Sequence, residues 1–204
     1  MNGADEILDP ALGRVGPDHP AILYGDEVVS YDVLRGRVNQ AGHALRRLGL
    51  GRQDRMVMMV HDSPAFFYAY LGAMKIGAVP IALNLRSAAN DLLFAINDSA
   101  CRIVLLDQEF LPLHDLIAGS VAHQAEVVVV SGATDGSVDL TAAMVAMPEV
   151  LEPESISDSE MAFWMYTSGT TGSPKGAVHG PGSIHASDRF LGQVLNVGPG
   201  DRLF

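Results

Sequence analysis

The sequence predicts an α/β protein with a mostly parallel sheet and helices on both faces. Continuous apolar runs recur along the chain, as in strands that are covered on both sides. Segments with the apolar spacing of amphipathic helices separate these runs. Apolar residues make up 48% of the 204 residues and charged residues 18%, a balance that supplies a core and argues against disorder. The order of the strands in the sheet cannot be read from these patterns.

The first predicted elements are a hairpin and a long helix. Two short apolar runs, 21–24 and 28–31, flank the turn Gly25-Asp26-Glu27. Ser30 is a predicted cap for the helix that follows, which carries one apolar stripe and ends at Gly49. The stripe consists of leucine, valine and alanine at positions 34, 38, 41, 45 and 48.

Buried strands and helices then alternate. A strand at 55–60 precedes a helix that Ser63 and Pro64 begin and Gly77 ends. The strand at 78–83 contains Pro80, which predicts incomplete pairing on one side. A helix is predicted from Ser87 to the break at 97–99, and further strands at 102–106, 126–130 and 161–166.

These patterns divide the chain into four segments. Residues 1–19 are a predicted N-terminal tail, and residues 20–131 a first α/β subdomain. Residues 132–160, rich in Ser, Asp, Glu, Pro and Gly, are a predicted surface connection with one short helix. Residues 161–204 carry the motif described below.

Charge and cysteine content exclude several function classes. A net charge of -11 gives no general attraction for nucleic acid or for an anionic membrane. Cys101 is the single cysteine, so no intramolecular disulfide can form, and we expect a buried thiol in a reducing compartment, the cytoplasm. The sequence has no apolar run of the roughly 20 residues that cross a bilayer, and its start does not resemble a signal peptide.

The stretch YTSGTTGSPKG, residues 166–176, follows the strand at 161–166. Its glycines allow backbone N–H groups to turn inward and form an anion-binding concavity. Hydroxyl groups add donors, and Lys175 adds one positive charge. We therefore predict a triphosphate-binding loop made by Thr167, Ser168, Gly169, Thr170, Thr171, Gly172, Ser173 and Lys175.

Two other interpretations of this loop are weaker. One is an exposed turn between two strands, which composition alone allows. The other is the P-loop G-x-x-x-x-G-K-[ST], but counting from Gly169 places Pro174 at the second glycine and Gly176 at the hydroxyl residue. The magnesium-binding hydroxyl of a P-loop is therefore missing.

The eleven residues resemble the signature phosphate loop of the adenylate-forming superfamily, which comprises acyl-CoA synthetases, luciferases and peptide-synthetase adenylation domains. Two upstream stretches, VSYDVL at 29–34 and MKIGAVPIALN at 74–84, resemble segments of the same family and occur in the family's order. The stretch at 83–107 and the VH that follows the loop look closest to benzoate-type aromatic-acid CoA ligases.

The resemblance implies that Mg²⁺ and ATP activate a carboxylic acid as an acyl-adenylate, which coenzyme A then attacks. It also implies that the adenine, ribose and CoA sites, the magnesium-binding acid, the catalytic lysine and the C-terminal domain lie beyond Phe204. We therefore expect an incomplete N-terminal part of a ligase, without a catalytic residue or metal site of its own. Alone, it should be inactive and bind ATP weakly. The alternative is a non-catalytic nucleotide-binding or interaction module that retains the loop.

The histidines give weaker predictions. His179 is a candidate neighbour of the nucleotide or acyl group, with a structural role as the alternative. His179 and His185 have no usual zinc spacing. His19, His43, His61, His114 and His123 have no partners in the sequence pattern and are predicted surface or helix residues. The acid and the oligomeric state are open, with an aromatic acid and a homo-oligomer among the alternatives.

Overall fold

The computed structural model describes residues 2–167, 174–198 and 200–202. Described residues 2–82 form four strands and three helices. In chain order these are α1 (Gly3–Val15), β1 (Pro20–Tyr24), β2 (Glu27–Ser30), α2 (Tyr31–Arg47), β3 (Arg55–Met59), α3 (Pro64–Lys75) and β4 (Val79–Ala82).

The part of the chain after β4 continues the alternation of helices and strands. Its elements are α4 (Ala89–Ser99), β5 (Ile103–Leu106), α5 (Leu111–Asp115), β6 (Glu126–Val129), β7 (Val138–Asp139), α6 (Leu140–Met144), β8 (Phe163–Thr167), β9 (Lys175–His179) and α7 (Gly182–Arg189). A π-helical turn, Phe190–Val194, extends α7.

A seven-stranded sheet organises the fold in the order β7-β6-β5-β3-β4-β8-β9. All neighbouring strands in it are parallel except β8 and β9, which are antiparallel. The separate hairpin β1–β2 precedes it. Strands from the predicted segments 20–131 and 161–204 thus lie in one sheet, while the division into those segments stays a prediction.

Helices cover both faces of this sheet. Side chains alternate along a strand, so Met56 and Met58 of β3 point to the face of α2 and α3, where they join one apolar cluster. Val57 and Met59 point to the opposite face and join a second cluster, with Leu92 of α4. The predicted fold class, a mostly parallel sheet covered on both faces, is confirmed.

The segment predicted as a tail contains a helix instead. Asn2 caps α1 by accepting the Ala4 N–H at 3.1 Å, and its own amide donates to the carbonyl groups of Met74, Lys75 and Glu154. Ala4 and Leu8 are buried. The sequence pattern does not reveal this helix because its burial depends on α3 and on the segment around Glu154, 152 positions from Asn2, and not on a strong local apolar period.

Several boundaries also differ from the predictions. The third predicted helix begins at Ala89, with Ala88 as its cap, and runs to Ser99, since Ala100 adopts the left-handed conformation with φ of 46°. Ser63 stands at the cap of α3 without a capping side-chain hydrogen bond. The sequence did not predict the two-residue strand β7 or the helix α7.

Pro80 affects the pairing of β4 as predicted. The N–H groups of Val79 and Leu83 donate to Asp54 and Met58, on the β3 side. Position 80 alternates with these residues and faces β8, where proline has no N–H to donate. The ladder between β4 and β8 accordingly begins after Pro80, with the pairs Ile81–Trp164 and Ala82–Met165.

Among the described residues, no helix combines the length and apolar character that a bilayer crossing requires.

Candidate functional site

The predicted phosphate loop joins the two strands of an antiparallel hairpin. β8 ends at Thr167 and β9 begins at Lys175, and these two residues face each other across the ladder. The residues between them that we predicted to bind phosphate, Ser168, Gly169, Thr170, Thr171, Gly172 and Ser173, lie outside the described residues. Of the predicted loop donors, the structure therefore brings Thr167 and Lys175 together.

This end of the hairpin lies at the carboxyl edge of the parallel strands. β8 runs parallel to β4, so Thr167 is on the same edge as the loops that follow β3, β4 and β5. Ligands of open α/β sheets bind at that edge. The described residues at the two ends of the predicted loop, Thr167 and Lys175, therefore lie at the edge where such ligands bind.

Lys175 supplies an available positive charge at this edge. Its side chain is exposed. None of the ion pairs between described residues includes it. An exposed ammonium group without a carboxylate partner can bind a phosphate oxygen without first breaking an ion pair.

Tyr166, the residue before Thr167, is fixed by contacts with α4. Its hydroxyl group donates to Asp98 Oδ2 at 2.7 Å, and its ring packs edge-on against Phe94 with centroids 6.0 Å apart. Burial, and next the hydrogen bond to Asp98, raise the pKa of the Tyr166 hydroxyl well above its usual value. Tyr166 therefore stays neutral and acts as a donor.

His179 lies at the opposite end of β9 from Lys175, about 13 Å away along the strand at the usual rise per residue. Its ring stacks on Phe163 with centroids 4.6 Å apart, and its Nδ1 lies 3.2 Å from Ser183 Oγ. These contacts give the ring a structural role at the base of the hairpin. A role beside nucleotide or acyl group stays a prediction.

His61 has partners that the sequence did not indicate. It follows β3, its backbone N–H donates to Asp107 Oδ2 at 2.7 Å, and its Nε2 lies 2.8 Å from Glu109 Oε1. The hydrogen bond with Glu109 is the main reason that the pKa of His61 lies above its ordinary value. The sequence pattern gave no sign of this pair, because Glu109 is 48 positions away from His61 in sequence.

Other chemistry is sparse in the described part of the chain. No group of three or more His, Cys, Asp and Glu side chains there could hold a metal ion. Two cavities of about 140 Å³ lie away from the hairpin, one beside His114 and His123 and one beside Arg102 and Glu126. Neither involves Thr167 or Lys175.

Comparison with known proteins identifies the family and the fold of the chain. The sequence model of the family described as AMP-binding enzyme matches residues 11–204. The chain belongs to this family. The resemblance to adenylate-forming enzymes, drawn from the loop and two upstream stretches, is thereby confirmed.

Among its relatives is a 3-hydroxybenzoate–CoA ligase of Aromatoleum sp. (strain CIB), 41% identical over 204 residues, all of this chain and 39% of the relative. A 3-hydroxybenzoate–CoA/4-hydroxybenzoate–CoA ligase of Thauera aromatica is 37% identical over 211 residues, with the same two shares. A crystal structure of an anthranilate CoA ligase in complex with anthranoyl-AMP superposes with a TM-score of 0.87 at 26% identity. That match covers 97% of this chain and 38% of the ligase.

The chain thus spans about two fifths of the length of the relatives that it matches. The match to the family covers residues 11–204 of this chain, so family membership is established for the chain itself. The activity, acid and partners of a whole ligase are matters of proposal.

Proposed function

We propose that this AMP-binding chain supplies the triphosphate-binding loop of an AMP-forming ligase that joins an aromatic carboxylic acid to coenzyme A. The observation that carries the proposal is the placement of Thr167 and Lys175 opposite each other at the carboxyl edge of the sheet. Lys175 is exposed, and no ion pair between described residues includes it. The relatives named as hydroxybenzoate–CoA ligases support an aromatic acid. The same names favour a ligase over a non-catalytic nucleotide-binding module.

In the proposed reaction, a carboxylate oxygen of the acid forms a bond to the α-phosphorus of ATP. The bond from that phosphorus to the oxygen that bridges the α- and β-phosphates breaks, and pyrophosphate leaves. The thiol of coenzyme A then attacks the acyl carbon, its proton is lost to solvent, and AMP leaves.

The loop's part is electrostatic. The Lys175 ammonium, the hydroxyl groups of Thr167, Ser168, Thr170, Thr171 and Ser173, and the N–H groups at Gly169 and Gly172 would hold the β- and γ-phosphates and stabilise charge on the leaving pyrophosphate. Mg²⁺, bound with ATP, would supply further positive charge to the phosphates. The proposal includes a cytoplasmic location for the protein, as predicted from its single cysteine.

Acid-dependent ATP–pyrophosphate exchange tests the function in the full-length natural polypeptide that carries this sequence. We expect exchange with benzoate or 3-hydroxybenzoate and much less with a short aliphatic acid. Lys175→Ala removes a charge-assisted hydrogen bond to phosphate, so kcat/KM should fall about 10- to 100-fold. Arg35→Ala, which removes a charge from an exposed pair with Asp32 on α2, is the control and should leave exchange unchanged.

Exchange without an acid requirement, or full activity in Lys175→Ala, would contradict the proposal. For the 204-residue polypeptide alone we expect no exchange and weak or undetectable ATP binding by calorimetry. Micromolar binding that Lys175→Ala abolishes would overturn that expectation.

A further inference from the structure

The hairpin that carries Thr167 and Lys175 has a weak connection to the rest of the sheet. On one side β9 is the edge strand. On the other side β8 joins β4 through the pairs Ile81–Trp164 and Ala82–Met165, because Pro80 offers no N–H to the β8 side. β3, by comparison, pairs with β4 from Arg55 to Met58.

Just before β8, where β4 and β8 do not pair, the side chain of Gln53 hydrogen-bonds to the backbone of Met161. Its Nε2 donates to the Met161 carbonyl at 3.0 Å, and its Oε1 accepts the Met161 N–H at 3.1 Å. A primary amide that binds both polar groups of one residue reproduces the exchange of hydrogen bonds in a strand pair. The side chain of Gln53 thus acts as a short substitute strand beside Met161.

The backbone of Gln53 is in a conformation that disfavours glutamine. Its φ is 60°, the left-handed region that glycine and asparagine occupy most readily. Its N–H donates to the Gly77 carbonyl at 2.7 Å, and its carbonyl accepts from Arg55 Nη1 at 3.0 Å. The turn fixes this backbone, and the amide of the side chain is what a glycine there could not supply.

Asp98 holds the other end of β8. Its carboxylate accepts the Tyr166 hydroxyl at 2.7 Å, one residue before the loop begins. Gln53 comes from the turn before β3, and Asp98 from the last turn of α4. Two polar contacts, one just before β8 and one near its end, therefore bracket this strand.

We propose that Gln53 and Asp98 are positioning residues that hold the β8–β9 hairpin, and with it Thr167 and Lys175, in place for the phosphates. Neither residue reaches the loop end itself. Each acts through β8, Gln53 through Met161 and Asp98 through Tyr166.

Hydrogen exchange on the 204-residue polypeptide tests the structural half, independently of any activity. In Gln53→Met, which removes both amide hydrogen bonds at nearly constant volume, the amides of Met161 to Thr167 should exchange roughly tenfold faster. Gln124→Met, at an exposed glutamine before β6, is the matched control and should not change these amides. Unchanged exchange in Gln53→Met would overturn the proposal.

A second pair of variants tests the hydrogen bond between Asp98 and Tyr166. Asp98→Ala should speed exchange of Tyr166 and Thr167, whereas Asp98→Asn keeps an oxygen that accepts the Tyr166 hydroxyl and should restore protection. If Gln53→Met does not fold, Gln53→Gly takes its place. Glycine adopts the left-handed conformation readily, and this variant still lacks the two hydrogen bonds to Met161. Equal exchange in Asp98→Ala and Asp98→Asn would contradict the role of the hydrogen bond.

The functional half rests on the proposed ligase activity and is read from Michaelis constants of the full-length natural polypeptide. Gln53→Met should raise the KM for ATP roughly tenfold and leave the KM for the acid unchanged. A variant that merely contains less folded protein would lower the apparent kcat with both KM values unchanged, and that result would overturn positioning. If the wild type shows no acid-dependent ATP–pyrophosphate exchange, the proposed ligase function is wrong. Amide hydrogen exchange still tests whether Gln53 and Asp98 hold β8 in place.

Discussion

His61 and His114 show how one residue type acquires opposite properties from its surroundings. His61 is half exposed and hydrogen-bonded to Glu109, and the carboxylate raises its pKa. His114 has a side chain only 13% exposed, and burial lowers its pKa in spite of the neighbouring Asp115. At neutral pH the two rings therefore differ in charge state more than two exposed histidines would.

A pH titration of both rings by NMR checks this difference. Glu109→Gln removes the negative charge beside His61, so the pKa of His61 should fall toward its ordinary value while that of His114 stays low. An unchanged pKa of His61 in the variant would contradict the assignment.

The sign of the linkage follows from the raised pKa of His61. Its contact with Glu109 stabilises the fold fully below the unfolded pKa, near 6.5, and this contribution is lost as pH rises through the higher folded pKa. Because the pair is exposed, the effect on stability is small.

At the scale of elements, α2 and α3 approach each other closely at two glycines. A Cβ atom on Gly72 would lie 2.9 Å from the backbone nitrogen of Gly42 and 3.0 Å from the Val38 carbonyl oxygen. Both atoms belong to the backbone of α2 and cannot move as a side chain does. The crossing of these helices therefore requires glycine at position 72.

Gly72→Ala should destabilise the fold by about 1–3 kcal/mol, since the clash with α2 outweighs the gain in helix propensity. Urea denaturation followed by circular dichroism measures the change. Gly13→Ala in α1 is the matched control, because a Cβ there meets no atom within 4 Å, and it should be neutral or stabilise by up to about 1 kcal/mol. Similar effects in both variants would contradict the close crossing.

A second element-scale feature is the strap at 145–162, which crosses α2 and α3 on its way to β8. Side chains of α2 bind its backbone, with Asn39 donating to Glu149 O at 2.7 Å and Gln40 donating to Met147 O at 3.1 Å. Arg52 binds Glu160 through two nitrogens. Side chains from elsewhere in the fold thus hold this strap in place. It overlaps the predicted surface connection at 132–160, whose division from the rest of the chain stays a prediction.

At the scale of the whole molecule, Cys101 reports on the integrity of the core. It lies between the end of α4 and the start of β5 and is 1% exposed. Burial raises the pKa of its thiol to about 11. This confirms the prediction of a small buried hydrophobic residue. The native thiol is both inaccessible and protonated at ordinary pH.

Labelling of Cys101 with a disulfide reagent at pH 8 should therefore be slow in the native protein and fast in denaturant. When reclosing is faster than labelling, the rate follows the population of the open state. Gly72→Ala should then label faster, by about tenfold for each 1.4 kcal/mol lost, and Gly13→Ala should not. Native labelling as fast as in denaturant would show that the thiol is not enclosed.

The sequence by itself determined the local elements and the family. The apolar run RMVMM in β3 and the apolar stripe of α2 indicate the type of each element and its buried residues. The stretch YTSGTTGSPKG carries enough specific residues to indicate the AMP-binding family. These features depend on residues close together in the chain, which is why a pattern can reveal them.

The tertiary structure alone decided which distant residues meet. The paired residues Ile81 of β4 and Trp164 of β8 are 83 positions apart in sequence. Asn2 and Glu154 are 152 positions apart, and Gln53 and Met161 are 108 positions apart. Local period carries no information on such pairings, because each depends on how several buried faces pack at once. The phosphate loop could be predicted from eleven residues, but the contacts of Gln53 and Asp98, which we propose to hold its hairpin, could not.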